Sequence, residues 1–376
     1  MRILLIKNKM KIPFLSFDSQ IDPHSIELLA AIRSVIKSKW YVLGQNVVDF
    51  EKRFAKLSGV KHVVGVGSGL DALIISLKSL NITKGDEVIV ASNAYIASWL
   101  SISNVGATIV PVEPNPQTFN LDVNKIEEKI TSKTKAIMPV HLFGQACEMD
   151  KIMEIAKKHN LFVIEDNAQA HLAKFDGKIT GSFGHINATS FYPTKNIGAI
   201  GEAGCITTND NAKSEYAKMY RNYGSCKKYT CDIIGTNSRL DEMQAAVLKI
   251  KLKYIIKWNE ERVNIAGLYN TYLSENKYIT KPYNHPKSQH VYHLYVIQTG
   301  KRDALQLFLD KKGIATTIHY PIPPHLQKAY SFLGYKKGNF PIAEKLANNS
   351  LSLPLYPGLK NNHIIYICKC INEFYS

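Results

Sequence analysis

Cysteine is scarce in this chain, and its spacing excludes two common architectures. The 376 residues contain six cysteines, and no two of them have the CxxC spacing of a zinc or redox site. Six thiols in a chain of this length are also too few for a disulfide scaffold. We therefore expect reduced thiols and a cytoplasmic location. The cysteines are Cys147, Cys205, Cys226, Cys231, Cys368 and Cys370.

Long hydrophobic runs are absent as well. The basic N-terminal stretch MRILLIKNKMK has an apolar run of only Ile3 to Ile6. A signal-peptide core takes about 7–15 apolar residues, and a membrane-spanning helix takes about 20. The sequence therefore predicts neither a signal peptide nor a membrane partner.

Acidic residues are in deficit, with 31 against 47 lysines and arginines and a formal net charge of +16. A basic excess attracts nucleic acid when it is clustered. Here the lysines are scattered in short pairs such as Lys157-Lys158 and Lys336-Lys337. This pattern disfavours a nucleic-acid partner. At most, the positive charge helps to attract an anionic small substrate. The composition is otherwise that of an ordinary globular protein.

What the sequence does contain, from residue 61 onward, is an alternation of short apolar runs and amphipathic helical stretches. The runs are unbroken, which is typical of parallel strands covered on both faces. Ligands of such sheets bind beyond the carboxyl ends of the strands. The predicted strands are 61–66, 87–91, 108–112, 135–140 and 161–166, and the predicted helices between them are 70–80, 95–103, 123–130 and 149–159.

The C-terminal third has its own alternation. After a helical region that includes one long predicted helix at 238–258, the sequence predicts a strand at 290–298, a helix at 302–313 and a strand at 314–320. A chain of this length is expected to divide into more than one domain. We predict a large α/β domain with an N-terminal arm at 1–250 and a smaller α/β domain at 251–376.

A glycine-rich turn, GVGSGLD at 65–71, leads from the first strand into a helix. Such a turn brings backbone amides close to a phosphate at the positive end of the helix dipole. It matches neither GxGxxG nor GxxxxGK[ST], so it does not by itself indicate a dinucleotide or an ATPase.

The strand at 161–166 ends in a polar cluster, EDNAQ at 165–169. Because side chains alternate along a strand, Glu165 and Asp166 point to opposite faces. A carboxylate at the end of an apolar strand needs a cation or several donors, so Asp166 is expected to have a partner. The alternative is a plain helix N-cap by Asp166 or Asn167.

Lys195 stands in SFYPTKNIGAIGEAG at 190–204, a segment too glycine-rich and apolar for a casual surface loop. Most lysines are solvated surface groups. A Schiff-base lysine, in contrast, needs a pocket that lowers the pKa of its amine and a carboxylate nearby for the cofactor's pyridinium.

Through these motifs, residues 12 to about 358 resemble the DegT/DnrJ/EryC1/StrS family of pyridoxal-phosphate sugar aminotransferases. The resemblance implies the aspartate-aminotransferase architecture (fold type I), with a mostly parallel central sheet and a smaller C-terminal α/β domain. Eight segments match in the family's order: FEKRFAKLSGVKHVVGVGSGLDAL, VIVASNAYIAS, TKAIMPVHLFGQACEMD, IEDNAQAH, SFYPTKNIGAIGEAG, GTNSRLDEMQAA, TIHYPIP and SLPLYPGL.

The resemblance implies a role for each matching residue. Lys195 is the Schiff-base lysine, Asp166 pairs with the pyridine nitrogen, Gln169 bonds the phenolic oxygen and Tyr95 stacks on the ring. The phosphate is held by the amides of Gly69 and Leu70 and the hydroxyl of Ser190. Asn237 and Arg239 reach toward the phosphate from the neighbouring subunit of a homodimer. His319 and Tyr320 lie in a segment that faces the active-site cleft in the family, so they are candidates for substrate contact, with a packed strand end as the alternative.

Two positions depart from the family's common pattern. Leu70 stands where many members have threonine, so a side-chain bond to the phosphate is lost. Leu172 stands where many have glycine, which alters the pocket near His171. Neither change removes a group that the chemistry requires.

The expected reaction moves an amino group from glutamate to a keto group of a nucleotide-linked deoxysugar, as in surface-glycan biosynthesis. The branch most similar in SKWYVLG, GLDAL, YIASW and PVHLFGQ aminates C3 of dTDP-3-keto-6-deoxyhexoses; a 4-keto substrate on dTDP or UDP is the alternative.

Three alternative interpretations are a sugar dehydratase, a non-catalytic regulator and a metal-binding protein, and the sequence disfavours each of them. Sugar dehydratases of the family replace the lysine by histidine, and a non-catalytic regulator is expected to lose Lys195, Asp166 or Gln169. His141, His171, His319 and His325 could suggest a metal site, but their spacing matches no ligand motif.

Overall fold

The computed structural model describes residues 11–227 and 229–376. The apolar run of Ile3 to Ile6 therefore lies outside the described residues. Within the described ranges, no helix combines the length and the apolar character needed to cross a membrane.

The described chain alternates helices and strands. The helices are α1 Asp18–Ile21, α2 Ser25–Ser38, α3 Gln45–Ser58, α4 Gly69–Ser79, α5 Ile96–Asn104, α6 Met149–Lys158, α7 Asn211–Tyr220, α8 Glu242–Lys251, α9 Ile255–Tyr272, α10 Arg302–Lys311, α11 Pro341–Asn349 and α12 Asn361–Tyr375. The strands are β1 His62–Val66, β2 Glu87–Ala91, β3 Thr108–Val112, β4 Thr134–Met138, β5 Phe162–Val163, β6 Lys174–Phe175, β7 Lys178–Ile179, β8 Asn187–Ser190, β9 Gly204–Thr208, β10 Ser288–Gln289, β11 Tyr295–Gln298 and β12 Ser350–Leu353.

The central sheet is mostly parallel, as predicted. Strands β3, β2, β4 and β5 lie side by side in parallel, and β1, β9 and β8 form an antiparallel group. The Ala188 amide donates to the Glu165 carbonyl at 2.9 Å, and the Asn167 amide donates to the Ala188 carbonyl at 2.8 Å. These bonds join the two groups in the order β3-β2-β4-β5-β8-β9-β1. Six strands of this order run parallel, and β9 runs against them.

Burial explains why the strands read as unbroken apolar runs. Val88, Ile89 and Val90 of β2 are all fully buried, so the sheet is covered on both faces. A second hydrophobic cluster lies among β11, β12, α9, α10 and α12, and Ile12 near the N-terminus also belongs to it. The division into domains at 1–250 and 251–376 stays a prediction.

Five predicted elements differ from the structure. Two predicted strands are shorter: 161–166 is β5 Phe162–Val163 followed by isolated bridges at Asp166, and 290–298 is β11 Tyr295–Gln298. The helix predicted at 123–130 is two single 3₁₀ turns, because Ile130 is already extended. The helix predicted at 238–258 is α8 and α9 with a break between them: α8 packs on α2 and α3, whereas α9 packs on α12. The strand predicted at 314–320 has only isolated bridges at Ile314 and Thr317, so no regular strand forms there.

Candidate active site

A cavity of ≈ 430 Å³ opens at the carboxyl ends of the parallel strands. This is where ligands of open α/β sheets bind. Nine of the residues singled out from the sequence line it together: Gly69, Leu70, Tyr95, Asp166, Gln169, Ser190, Lys195, His319 and Tyr320. Asn237 and Arg239 do not line it.

The segment that follows β5 directs two carboxylates, those of Glu165 and Asp166, to opposite sides. Glu165 points away from the cavity and accepts bonds from the amides of Gly181, Phe183 and Gly184, each at 2.7 Å, and from His141 at 2.8 Å. It therefore holds the 181–184 loop and has no capacity left for a ligand. Asp166 faces the cavity, as strand alternation predicts.

Two donors orient the Asp166 carboxylate. Ser98 Oγ donates to Oδ2 at 2.7 Å, and the Ala168 amide donates to Oδ1 at 3.1 Å. No helix begins here, so the alternative of a plain N-cap is wrong. Each carboxylate oxygen can accept a second bond. Asp166 can therefore bind a cationic N–H in the cavity without losing its own donors.

Lys195 lies in a tightly held loop. Its amide donates to the Tyr192 carbonyl at 2.9 Å, and a Cβ on Gly198 would lie 2.2 Å from the Pro193 carbonyl oxygen, so that turn requires glycine. Lys251 Nζ donates to the Gly198 carbonyl at 2.6 Å. The backbone around Lys195 is thus fixed from both sides.

The environment of the Lys195 amine favours its neutral form. Burial lowers the pKa of Lys195 to about 8, although the negative charge of Asp166 opposes this shift. An amine with this pKa is a competent nucleophile and proton carrier near neutral pH, unlike a solvated lysine.

Gln169 and Tyr320 form one side of the cavity. The Phe143 amide donates to Gln169 Oε1 at 2.7 Å, which turns the Nε2 group toward the Tyr320 hydroxyl at 3.0 Å. The Tyr320 and Tyr95 rings lie 5.0 Å apart between centroids. Burial raises the pKa of Tyr320, so its hydroxyl stays protonated. Two flat aromatic faces and one amide donor are therefore presented to a ligand.

An anion site is built at the first turn of α4. Ser68 caps the helix by accepting from the Asp71 amide at 3.1 Å, whereas the preceding amides of Gly69 and Leu70 open onto the cavity. Amides in this position have no acceptor within the helix and lie at the positive end of its dipole. A Cβ on Gly69 would lie 2.6 Å from the Ser190 Cβ. Glycine thus lets the Ser190 side chain close the anion site.

Histidines occupy separate places rather than one metal site. His319 Nδ1 lies 2.8 Å from Ser352 Oγ, and burial lowers the pKa of His319 to about 4. His171 Nε2 bonds the Ser190 carbonyl at 2.8 Å, and His325 pairs with Glu344 at 3.1 Å. Across residues 11–227 and 229–376, no three His, Cys, Asp or Glu side chains are grouped so as to hold a metal ion.

Sequence reasoning missed His293. It lines the cavity beside His319, and its Nδ1 lies 3.2 Å from Asn196 Oδ1. Burial lowers the pKa of His293 well below its usual value. The HVYHLYVIQ segment looks like an ordinary apolar strand, so only its placement in three dimensions identifies this residue.

Asn237 and Arg239 lie outside the cavity of their own subunit. Asn237 is exposed, and Arg239 Nη1 donates to Asn222 Oδ1 at 2.8 Å. The Arg239 guanidinium also lies 5.1 Å from the centre of the Tyr223 ring. The Asn237 side chain is thus exposed, and the Arg239 side chain is half-buried against Asn222 and Tyr223.

The family model described as the DegT/DnrJ/EryC1/StrS aminotransferase family matches residues 24–372. This chain belongs to that family. A curated relative from Aneurinibacillus thermoaerophilus, dTDP-3-amino-3,6-dideoxy-alpha-D-galactopyranose transaminase, is 48% identical over 96% of this chain and 99% of its own. A pleiotropic regulatory protein from Geobacillus stearothermophilus is 43% identical over 97% of this chain and 99% of its own.

The crystal structure of DesV from S. venezuelae superposes with a TM-score of 0.95 at 43% identity, covering 97% of this chain and 98% of that one. Fold type I is therefore confirmed. The enzyme is a pyridoxal-phosphate-dependent sugar aminotransferase, and relatives of known structure have been captured with this cofactor and with its amine form. Lys195 stands where the dehydratases have histidine, and the residues that a regulator is expected to lose are all present.

Proposed function

We propose that the enzyme transfers the amino group of glutamate to the C3 keto group of a dTDP-3-keto-6-deoxyhexose, giving a dTDP-3-amino-3,6-dideoxyhexose. The observation that carries the aminotransferase chemistry is the single cavity in which the Lys195 amine, its pKa lowered to about 8, faces Asp166. The choice of C3 and of dTDP is supported by 48% identity to a relative named for that product.

The cavity fits pyridoxal phosphate group by group. The Gly69 and Leu70 amides and Ser190 suit a phosphate, and the Tyr95 and Tyr320 rings suit a flat heterocycle. The remaining contacts are at the ring's polar atoms: Asp166 for the pyridinium nitrogen and Gln169 Nε2 for the phenolic oxygen. When bound, the cofactor supplies an electron sink for the charge that develops as a proton leaves carbon.

Lys195 carries the proton transfers in this proposal. Its Nζ would hold the cofactor through its amine and, with the amino donor bound, would carry the proton from the donor's Cα toward the cofactor. Asp166 keeps the ring nitrogen protonated, with Ser98 holding the carboxylate in place.

Two neutral histidines are proposed to position the sugar. His293 and His319 both have lowered pKa values because they are buried, so neither is a cation at neutral pH. Each is anchored through Nδ1, to Asn196 or Ser352, which leaves Nε2 for a ligand. Neutral imidazoles suit sugar hydroxyls, since they can bond without attracting stray anions. Tyr320 completes this substrate side.

The low pKa of Lys195 predicts how cofactor capture by the apoenzyme depends on pH. Only the neutral amine attacks, so the rate should rise about tenfold per pH unit below the pKa and level off above about 8. Stopped-flow absorbance after mixing apoenzyme with pyridoxal phosphate measures this rate. A rate that still rises steeply beyond pH 9 would assign the attacking amine an ordinary lysine pKa and contradict the proposed environment.

Leu70→Thr is expected to tighten cofactor binding. Leu70 lines the cavity in the first turn of α4, where a threonine hydroxyl would reach the phosphate. One added hydrogen bond is worth about a three- to tenfold change in dissociation constant. Equilibrium titration of the apoenzyme measures it, with Leu70→Val as the control of matched shape and no hydroxyl. Equal affinities of the two variants would show that the phosphate lies elsewhere.

We propose that the active unit is a homodimer with composite sites. Asn237 and Arg239 lie outside their own cavity, amid exposed aromatic and aliphatic side chains. Tyr223 lies against Arg239, and the Tyr41 carbonyl accepts from the Glu242 amide at 3.1 Å, so the exposed rings of Tyr41 and Tyr223 flank this segment. Large exposed apolar surface of this kind favours association. A second copy would bring these residues to the neighbour's phosphate.

Complementation tests the composite site. A Lys195→Ala subunit and an Asn237→Ala/Arg239→Ala subunit are each inactive as homodimers. A purified heterodimer contains one site with an intact lysine and an intact partner segment, so half of the wild-type activity per dimer is expected. No activity in a verified heterodimer would place Asn237 and Arg239 in the site of their own subunit.

A substrate panel tests the regiochemistry. The enzyme and glutamate are incubated separately with dTDP-3-keto-6-deoxyhexose and with 4-keto-6-deoxy sugars on dTDP and UDP, and products are identified by mass spectrometry. Substantial amination is expected only of the 3-keto sugar, because the hexose must be rotated to bring C4 to the same position. Efficient conversion of a 4-keto sugar alone would overturn the C3 assignment and leave the aminotransferase assignment standing.

A further inference from the structure

The segment that carries Asn237 and Arg239 also touches the phosphate-binding turn of its own subunit. Between these two residues stands Ser238, which is 5% exposed. Its hydroxyl donates to Asp71 Oδ2 at 2.8 Å and accepts from the Gly67 amide at 3.0 Å. Gly67 and Asp71 flank Gly69 in the turn that opens α4. Ser238 therefore bonds the two residues that flank the phosphate-binding turn and fixes the position of that turn.

The glycines of this turn are explained by the same contact. A Cβ on Gly67 would lie 3.2 Å from both Ser238 Oγ and Asp71 Oδ2. A Cβ on Gly65 would lie 2.8 Å from Leu240 Cδ2, a deeper clash. Both glycines let residues 238–240 dock against the end of β1. The glycines of this turn are therefore explained by two requirements: the docking of residues 238–240 and the approach of a phosphate.

A buried arginine ties the segment in place. The Ser238 amide donates to the Arg221 carbonyl at 2.9 Å. Arg221 Nη1 in turn donates to the Gly65 carbonyl at 2.6 Å and to Glu51 Oε1 at 2.7 Å. These bonds join three parts of the chain: the end of β1, the end of α7 and the segment at 237–239. A displacement of the segment would therefore also displace the phosphate-binding turn.

We propose that Ser238 is a positioning residue that serves two active sites at once. In its own subunit it sets the phosphate-binding turn through Asp71 and Gly67. Through its neighbours Asn237 and Arg239 it also sets the contact with the phosphate in the other subunit. This second role rests on the composite dimer proposed above, whereas the first rests on contacts within one chain.

Singly substituted heterodimers test the proposal, with cofactor release as the measurement. One subunit carries Ser238→Ala, or in a parallel sample Asn237→Ala, and the other subunit is wild type. Release after dilution is followed by the loss of protein-bound cofactor absorbance. Asn237→Ala removes a contact at one site only, so two phases of equal amplitude are expected, one of them at the wild-type rate. Ser238→Ala weakens both sites, so both phases should be faster than wild type by about three- to tenfold.

Two controls separate positioning from loss of stability. Ser76→Ala also removes a buried hydroxyl in α4, but Ser76 Oγ bonds only the Ala72 carbonyl of its own helix at 2.7 Å, and wild-type release is expected. Pyridoxal, which has no phosphate, should bind the Ser238→Ala and wild-type enzymes equally well.

A wild-type phase in the Ser238→Ala heterodimer, or an equal loss of pyridoxal affinity, would overturn the two-site role. Wild-type release from both sites of the Asn237→Ala heterodimer would instead refute the composite dimer, and Ser238→Ala would then act on one site alone.

Discussion

Lys195→Ala should abolish turnover and remove the absorbance of the lysine-bound cofactor. In the proposed mechanism Lys195 is both the nucleophile that would capture the cofactor and the base that would move the proton from the donor's Cα, and the variant lacks both. Loss of a positioned general acid–base alone costs up to about 10⁴-fold in rate. Absorbance spectra and turnover with glutamate and the keto sugar measure the two losses. An unchanged spectrum would end the assignment of Lys195.

The chain offers a matched control in Lys251. Burial lowers the pKa of Lys251 to about 8 as well, but its amine is directed to the Gly198 carbonyl and does not line the cavity. Lys251→Ala should cost about 1–3 kcal/mol of stability, since it leaves a buried carbonyl without its donor. It should nevertheless keep the absorbance of the lysine-bound cofactor. Comparison of the two variants shows whether the absorbance of the lysine-bound cofactor requires a lysine at position 195 or only a lysine with a lowered pKa.

Asp166→Ala should leave the cofactor bound but reduce kcat by about 10²–10³-fold, the usual effect of removing one preorganised electrostatic contact in an active site. The phosphate contacts and Lys195 remain, whereas the ring nitrogen loses the charge that keeps it protonated. Steady-state kinetics on fully loaded enzyme measure the loss.

Ser98→Ala is the control for Asp166. It removes the 2.7 Å bond to Oδ2 but keeps the carboxylate and its bond to the Ala168 amide, so a loss of only about tenfold is expected. Wild-type turnover in Asp166→Ala would show that another group serves the ring nitrogen.

Elements that depend on local patterns were predicted well from the sequence. The apolar run at 87–91 is β2 with the same bounds, and the run at 108–112 is β3. Burial on both faces of a parallel sheet leaves a strong signal in the residues themselves. Strand alternation likewise predicted that Glu165 and Asp166 point apart, and the structure gives each a separate set of donors.

Features set by tertiary contacts were not predicted. The helix predicted at 238–258 begins only at Glu242, because Ser238 and Leu240 instead dock against the end of β1. His293 reaches the cavity through the packing of the C-terminal region on the loop that carries Asn196. The role proposed for Ser238 at the phosphate-binding turn of its own subunit depends on contacts 167 and 171 residues apart along the chain. No local motif records contacts at such separations.

The most direct test is to trace the nitrogen atom from glutamate to the amino sugar. The enzyme is incubated with [¹⁵N]glutamate and dTDP-3-keto-6-deoxyhexose, and the nucleotide sugar is analysed by mass spectrometry and by NMR. The proposed reaction predicts one ¹⁵N atom per sugar, bonded to C3, with one 2-oxoglutarate formed for each amine transferred. The Lys195→Ala variant is expected to form neither product. Holoenzyme that forms no labelled amino sugar from any keto sugar of the panel would contradict the proposed reaction.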